Sequence, residues 1–262
     1  MSYRAAFLKN KINCSAVVVA AGKSQRFGSD KMFAPLSGIP VLAYSLTTLE
    51  TCKYISEIIV VTDYNKIVEV AELCEAFKIS KAVKVICGGA TRLESALSGV
   101  SETDKRSNLI AVHDGARPLV SLKIIEDTIE CAFTHKAAIP VIPARDTMKI
   151  VSGSFATETP ERTCVYSAQT PQVFIPELIK GALTNALQKD IPVYDVQLLQ
   201  TEAAEFPVYL TEFKHKLDTT AFAQEPPHKG DSIPYTAYSL LYRAAIQDGV
   251  IASLTYCELP VQ

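Results

Sequence analysis

The sequence predicts an α/β protein built on a doubly wound, mostly parallel sheet. Three observations carry that expectation. Short apolar runs alternate with longer segments of helical period, the order that a parallel sheet with crossover helices requires. The first run is apolar at consecutive positions, the pattern of a strand buried on both faces. The chain, at 262 residues, is long enough to bury a core without disulfide or metal staples.

In chain order, the strand runs are 16–20 (AVVVA), 58–62 (IIVVT), 82–86 (AVKVI), 109–113 (LIAVH) and 137–142 (AAIPVI). Helical period occupies 41–51, 66–77, 91–100 and 121–133 between them, and returns at 175–187. Within 143–166 the alternation stops. There, 146–154 reads as a strand ending in a Ser-Gly turn, with 163–166 as its partner. This pair is expected to form a β-hairpin arm projecting from the sheet, either clasping a second subunit or lying on the surface. The polar, Pro/Gly-rich stretch 224–231 reads as a linker, followed by a helix candidate at 235–247. The expected organisation is one domain over 1–223, with the arm at about 143–166. The extension 224–262 is too short for its own core and is expected to be a loop plus a docked helix.

Composition excludes several classes. Lys+Arg 26 against Asp+Glu 28 gives a net charge of −2. A generally basic nucleic-acid surface is excluded, as is an acidic disordered chain. A local basic pocket for an anionic ligand stays allowed. The seven cysteines form no C-x-x-C pair and no zinc spacing. Most sit in apolar runs such as 85–87, the pattern of buried free thiols in a reducing compartment. The apolar run 16–21 is short and opens into a glycine loop rather than a cleavage site. No run reaches the length of a membrane span. The expectation is a soluble, cytoplasmic protein with neither a membrane nor a nucleic-acid partner.

The first strand opens into Ala20-Ala21-Gly22-Lys23-Ser24-Gln25-Arg26-Phe27-Gly28-Ser29-Asp30-Lys31. Backbone N–H groups in such a turn can cradle phosphate oxygens, and Arg26 and Lys31 add positive charge. Walker A spacing is absent, and Ser24 breaks the dinucleotide fingerprint G-x-G-x-x-G. On these residues alone, an ordinary turn carrying two solvated cations stays open.

The loop resembles the signature of nucleotidyltransferases that activate sugar phosphates with a nucleoside triphosphate. Four further motifs follow in order: Gly88-Gly89-Ala90-Thr91-Arg92-Leu93-Glu94-Ser95, Val112-His113-Asp114-Gly115-Ala116-Arg117-Pro118, Asp146-Thr147-Met148-Lys149 and Gln169-Thr170-Pro171-Gln172-Val173-Phe174. Together they resemble the 2-C-methyl-D-erythritol 4-phosphate cytidylyltransferase family, CTP-dependent enzymes of the non-mevalonate isoprenoid pathway. The resemblance spans about residues 15–222. It implies a Rossmann-like sheet of the nucleotide-diphospho-sugar transferase type. It implies transfer of CMP from CTP, with release of pyrophosphate.

The resemblance also assigns roles. Arg26 and Lys31 are catalytic and bind the CTP triphosphate, with Ala20, Ala21, Gly22 and Lys23 beside it. Gly88, Gly89 and Ser95 contact cytosine and ribose, although a plain Gly-Gly turn and a helix-facing Ser95 fit these residues too. Asp114 contacts CTP and holds Mg2+; a turn cap is its other reading. Arg117 and Thr170 are substrate-side, and His113 is a packing or hydrogen-bonding residue. Thr147 and Arg162 on the arm complete the site of the partner subunit in a homodimer. Lys216 is the second catalytic lysine if Asp218 is an insertion; Lys214 competes with it. The chain departs from the family at Ser24, at Asp30-Lys31-Met32-Phe33 where Pro-Lys-Gln is usual, and at Tyr194-Asp195 where Thr-Asp is usual. A pentitol-phosphate (ribitol 5-phosphate) cytidylyltransferase and a non-catalytic nucleotide-binding relative are the competing readings.

Overall fold

A computed structural model of the chain describes residues 12–22 and 30–188, and the backbone of 209–212. Lys23, Arg26, Lys214, Lys216 and the extension with its helix candidate at 235–247 lie outside the described residues.

Strand β1 (Cys14–Val19) is almost wholly buried, because consecutive Ala and Val side chains feed both faces. It runs parallel to β2 (Ile55–Thr62), pairing Ala16 with Ile58, and β2 runs parallel to β3 (Ala82–Cys87). On its other side β1 runs parallel to β4 (Leu109–Asp114), pairing Ala16 with Ala111 and Val19 with Asp114. The chain then reaches β5 (Ala137–Pro143).

Helix α1 (Val41–Thr51) connects β1 to β2, α2 (Ile67–Ala76) connects β2 to β3, α3 (Arg92–Ser101) leads to β4, and α4 (Leu122–His135) to β5. Each matches a segment read as helical. Leu42, Leu46 and Leu49 of α1 and Ile125 and Ile129 of α4 bury completely, the 3.6-residue stripe that made them legible. Helix α3 starts with a capping box: Thr91 Oγ1 accepts from the Glu94 N–H (3.1 Å), and Glu94 Oε2 accepts from the Thr91 N–H (2.9 Å). Helix α4 is capped by Ser121 and stops at Lys136, whose φ is +73°.

The chain forms two compact units. Among the described residues, the larger draws on 12–22, 30–34, 38–140 and 169–188, and the smaller on 35–37 and 141–168. The boundary falls within β5.

In the larger unit the strand order is β5-β9-β4-β1-β2-β3, where β9 (Gln172–Phe174) is antiparallel to both β4 and β5. Helix α3 packs with α5 (Pro176–Gln188), and α1 with α2 and α4. Strand β10 (Tyr209–Glu212) pairs with β5. The sheet is thus the doubly wound, mostly parallel one the alternation predicts, with an antiparallel insertion that it did not.

In the smaller unit, β8 (Tyr166–Ala168) is antiparallel to the end of β5, pairing Tyr166 with Pro143. A hairpin forms from β6 (Ile150–Ser152) and β7 (Phe155–Glu158). This corrects the expected pairing. The partner of the first hairpin strand is Phe155–Glu158, not 163–166, which is instead a 3-10 turn (Arg162–Cys164) leading into β8. Ser152 and Phe155 pair across a two-residue Gly153-Ser154 loop, and Gly153 supplies the positive φ of +59° that so short a turn demands. The next residues must then form the return strand.

Cysteine burial also needs one correction. Cys14, Cys52 and Cys74 are buried free thiols, but Cys87 and Cys164 are exposed. Cys87 ends β3, the last strand of the sheet order, which among the described residues has one side without a neighbour. Among the described residues, no helix is long and apolar enough to cross a membrane.

Candidate active site

The order of strands locates the site. From β1 the chain moves out through β2 to β3, then returns to β4 on the other side of β1. Ligands of open α/β sheets bind at such a reversal, beyond the carboxyl ends of the strands. The end of β1 and the end of β4 meet there: Val19 and Asp114 are register partners, and the Gly115 N–H donates to Val19 O (3.0 Å). Ala20, Ala21 and Gly22 continue from this end, the Ala20 N–H donating to Val61 O (2.7 Å).

Gly88 and Gly89 follow β3 and bring α3 to the same edge. The Gly88 N–H donates to Thr62 O (2.8 Å). A Cβ on Gly88 would lie 2.7 Å from the Ala21 Cβ and 2.7 Å from Ser95 Oγ, so the close approach of the two loops requires glycine. Ser95 Oγ is buried; it accepts from the Gly89 N–H (3.1 Å) and lies 2.9 Å from Thr91 O. Ala21, Gly88, Gly89 and Ser95 therefore form one packed surface.

Lys31 sits in the turn that precedes α1. Asp30 Oδ1 accepts from the Met32 N–H (3.0 Å), and the Ala34 N–H donates to Asp30 O (3.1 Å). Lys66 holds this turn from outside, with Nζ 3.6 Å from Asp30 Oδ2 and 4.9 Å from the Phe33 ring centroid. The residues that depart from Pro-Lys-Gln thus supply the turn with its own fixings.

Asp114 lies between two arginines. Arg92 Nη2 donates to Oδ1 (2.7 Å) and Arg117 Nε to Oδ2 (3.0 Å). Burial opposes the carboxylate charge, but the Arg92 and Arg117 guanidiniums outweigh it and hold the carboxyl at about 2. Asp114 is therefore ionised throughout the neutral range. Arg117 also donates to Gln169 Oε1.

Thr170 sits directly behind this carboxylate. Its Oγ1 accepts from the Asp114 N–H (3.3 Å) and lies 3.0 Å from His113 Nδ1. His113 is fully buried, and burial pushes its pKa down to about 4, so the ring is neutral at pH 7. This suits the expected hydrogen-bonding role for His113.

Most expected site residues of the larger unit thus converge. Thr147 and Arg162 belong to the smaller unit, where Arg162 Nη1 donates to Arg145 O (3.2 Å). Two residues of the site went unassigned in the sequence: Arg92 and Gln169. Arg92 carried a signal, because a cation in the first helical turn after a strand-end glycine pair faces the strand ends. Gln169 carried none, since its partner is distant in sequence.

The family model described as 2-C-methyl-D-erythritol 4-phosphate cytidylyltransferase matches residues 14–210. The chain belongs to this family. It is 39% identical over 209 residues to the 2-C-methyl-D-erythritol 4-phosphate cytidylyltransferase of Caldanaerobacter subterraneus, covering 78% of this chain and 92% of that one. The cytidylyltransferase of Halalkalibacterium halodurans is 38% identical over 170 residues, 64% of this chain and 74% of its own. Among solved structures, the 4-diphosphocytidyl-2C-methyl-D-erythritol synthase of Anaerococcus prevotii superposes with a TM-score of 0.70 at 28% identity, covering 79% of this chain and 89% of its own. Membership in the cytidylyltransferase family agrees with the site's position at the strand reversal and with its anion-facing cations.

Proposed function

We propose that the chain transfers CMP from CTP to 2-C-methyl-D-erythritol 4-phosphate, giving 4-diphosphocytidyl-2-C-methyl-D-erythritol and pyrophosphate. The observation that carries this reading is the ionised Asp114, held by Arg92 and Arg117 beside the Ala20–Ala21–Gly22 turn at the strand reversal. A phosphate oxygen of the polyol phosphate forms the new bond to the α-phosphorus of CTP. The bridging oxygen to the β-phosphorus departs with pyrophosphate. The nucleophile is already ionised at neutral pH, so no general base is needed. The protein's task is positioning and charge stabilisation.

In this reading Ala20, Ala21, Gly22 and Lys23 line the triphosphate, and Arg26 and Lys31 neutralise charge on it as the bond breaks. Gly88, Gly89 and Ser95 receive the cytidine. Arg117 and Thr170 face the polyol phosphate, and Lys216 is the further catalytic lysine.

Asp114 suits Mg2+. It is a hard, ionised oxygen donor, and each of its oxygens keeps a lone-pair site beyond its one arginine bond. Among the described residues no group of three or more His, Cys, Asp or Glu side chains could hold a metal. One carboxylate, completed by phosphate oxygens and water, is a usual Mg2+ environment. Bound Mg2+ would supply charge neutralisation of the phosphates.

The hairpin supports a homodimer. Phe155 is 78% exposed and Val151 61%, with Met148 and Ile150 also exposed, an apolar set that a partner subunit would cover. Thr147 and Arg162 would then serve the partner's polyol phosphate. The chain works as one catalytic domain over 1–223 with 224–262 docked on it, in the cytoplasm, where free thiols such as Cys14, Cys52 and Cys74 persist.

Pyrophosphate release from CTP, measured against several polyol phosphates with and without Mg2+, tests this function. Turnover with 2-C-methyl-D-erythritol 4-phosphate and Mg2+ supports it. Turnover with ribitol 5-phosphate alone would reassign the substrate.

A further inference from the structure

We propose that Lys66 is a positioning residue for the transfer reaction. By holding the Asp30 carboxylate from outside the turn, it fixes where the backbone presents Lys31 to the triphosphate. This deepens the proposed CMP transfer and rests on that reading for the role of Lys31.

The turn is fastened to α1 on one side of Lys31. The Leu42 N–H donates to Met32 O (3.0 Å), the Val41 N–H donates to Ala34 O (3.1 Å), and Met32 is buried. Asp30 stands on the other side. Its carbonyl accepts from the Ala34 N–H (3.1 Å), and its Oδ1 accepts from the Met32 N–H (3.0 Å). One carboxylate oxygen therefore bridges across Lys31. A bond between residues two apart shapes the turn itself. It does not fix the turn relative to the sheet.

Lys66 supplies that reference. It closes the 3-10 turn Tyr64–Lys66 directly after β2, its N–H donating to Asp63 O (2.8 Å). Strand β2 pairs Val61 with Val19, so Lys66 stands at the same strand edge as the Ala20–Ala21–Gly22 turn. Its Nζ lies 3.6 Å from Asp30 Oδ2, 2.6 Å from Glu69 Oε2 and 4.9 Å from the Phe33 ring centroid. Glu69, in the first turn of α2, holds the ammonium in place, and the Phe33 ring offers it a negative face. Lys66 thus meets the turn on both sides of Lys31, at residues 30 and 33.

Charge adds a second reason. The triphosphate carries several negative charges, and the residue next to Lys31 is a carboxylate. Uncompensated, Asp30 would repel the ligand that Lys31 attracts. The Lys66 ammonium offsets it. Both side chains are about one-third exposed, so the pair contributes little to global stability. Its consequence is local, because a misplacement of about 1 Å in a reacting constellation can cost on the order of 10²-fold in rate.

NMR of the full chain labelled with nitrogen-15 methionine tests the hold without turnover. The chain has three methionines, Met1, Met32 and Met148. The Met32 amide reads the Asp30 bond directly, Met148 is the internal reference, and the Met32 signal is assigned by its loss in Met32→Leu. Lys66→Ala should shift the Met32 signal and speed its hydrogen exchange about tenfold, leaving Met148 unmoved. Lys66→Arg should restore it. An unchanged Met32 amide in Lys66→Ala would overturn the proposal, and would count against Lys66 alone, not against the transfer reaction. Kinetics supply the second readout. Lys66→Ala should lower kcat about tenfold and change KM for the polyol phosphate less than about twofold, with Tm nearly constant. Lys66→Arg, which keeps the charge and the ring contact, should recover most of the loss. Asp30→Asn keeps an Oδ1 acceptor for Met32 but removes the charge that Lys66 holds. In that background Lys66→Ala should cost less than about twofold. Additive losses, a fall in activity that follows Tm, or no recovery with Arg would overturn the positioning role.

Discussion

Arg92 Nη2 lies 2.7 Å from Asp114 Oδ1, tying the first turn of α3 to the end of β4. The pair couples the surface proposed to receive the cytidine to the proposed metal ligand. Among the described residues, removing Arg92 leaves Arg117 as the one remaining arginine on the carboxylate. A hydrogen bond to a charged group contributes about 1.5–3 kcal/mol. Arg92→Gln should therefore lower kcat/KM by roughly 10- to 100-fold. Thermal unfolding should change little. A fall in activity that merely tracks a fall in Tm would contradict the coupling.

Gly88 is the contact point between the β1 turn and α3. Gly88→Ala would place a methyl group 2.7 Å from the Ala21 Cβ and from Ser95 Oγ. Overpacking of this kind costs about 1–3 kcal/mol. The expected result is a higher KM for CTP, with a smaller change for the polyol phosphate, measured by varying each substrate in turn.

His113 gives stability a pH dependence. Its pKa falls from 6.5 in the unfolded chain to about 4 in the fold, through burial. A lowered histidine pKa means that the unfolded state binds the proton first as pH falls. The stabilisation is complete above about 6.5 and is lost between there and about 4, on the order of 3 kcal/mol in all. Chemical denaturation across this window should show a shallower decline for His113→Asn than for the unaltered chain. Parallel profiles would contradict the buried neutral ring.

The hairpin should govern assembly. Phe155→Asp places a charge at the most exposed apolar side chain of the hairpin strands. It should shift sedimentation toward the monomer and lower activity at micromolar protein. Arg162→Ala should instead keep the oligomer and raise KM for the polyol phosphate more than for CTP. A monomeric unaltered chain would contradict both expectations.

The layers of the fold were legible where residues repeat a period over enough length. Helix α1 spans Val41–Thr51, the same residues its apolar stripe marked, and the parallel strands announced themselves as runs of Ala, Val and Ile. Strand β9 was not legible. It has three residues, Gln172–Phe174, too few to show a period, and its place between β4 and β5 is decided by tertiary pairing. A hairpin does form within 143–166, but from Ile150–Ser152 and Phe155–Glu158 rather than from 146–154 and 163–166, because the Gly153-Ser154 turn is shorter than the spacing assumed. In the site, Asp114 and Gly88 stood in recognisable motifs, and Arg92 stood in one without a role. The Arg117–Gln169 and His113–Thr170 contacts link segments more than fifty positions apart and required the folded chain.

The most direct measurement is continuous pyrophosphate release by the full chain. With CTP, Mg2+ and 2-C-methyl-D-erythritol 4-phosphate together, release should be sustained. It should cease when any one is omitted. It should fall by about 10²–10³ in Lys31→Ala and in Asp114→Ala, while Tm stays close to that of the unaltered chain. Sustained release without the polyol phosphate, or full activity in folded Asp114→Ala, would contradict the proposed site.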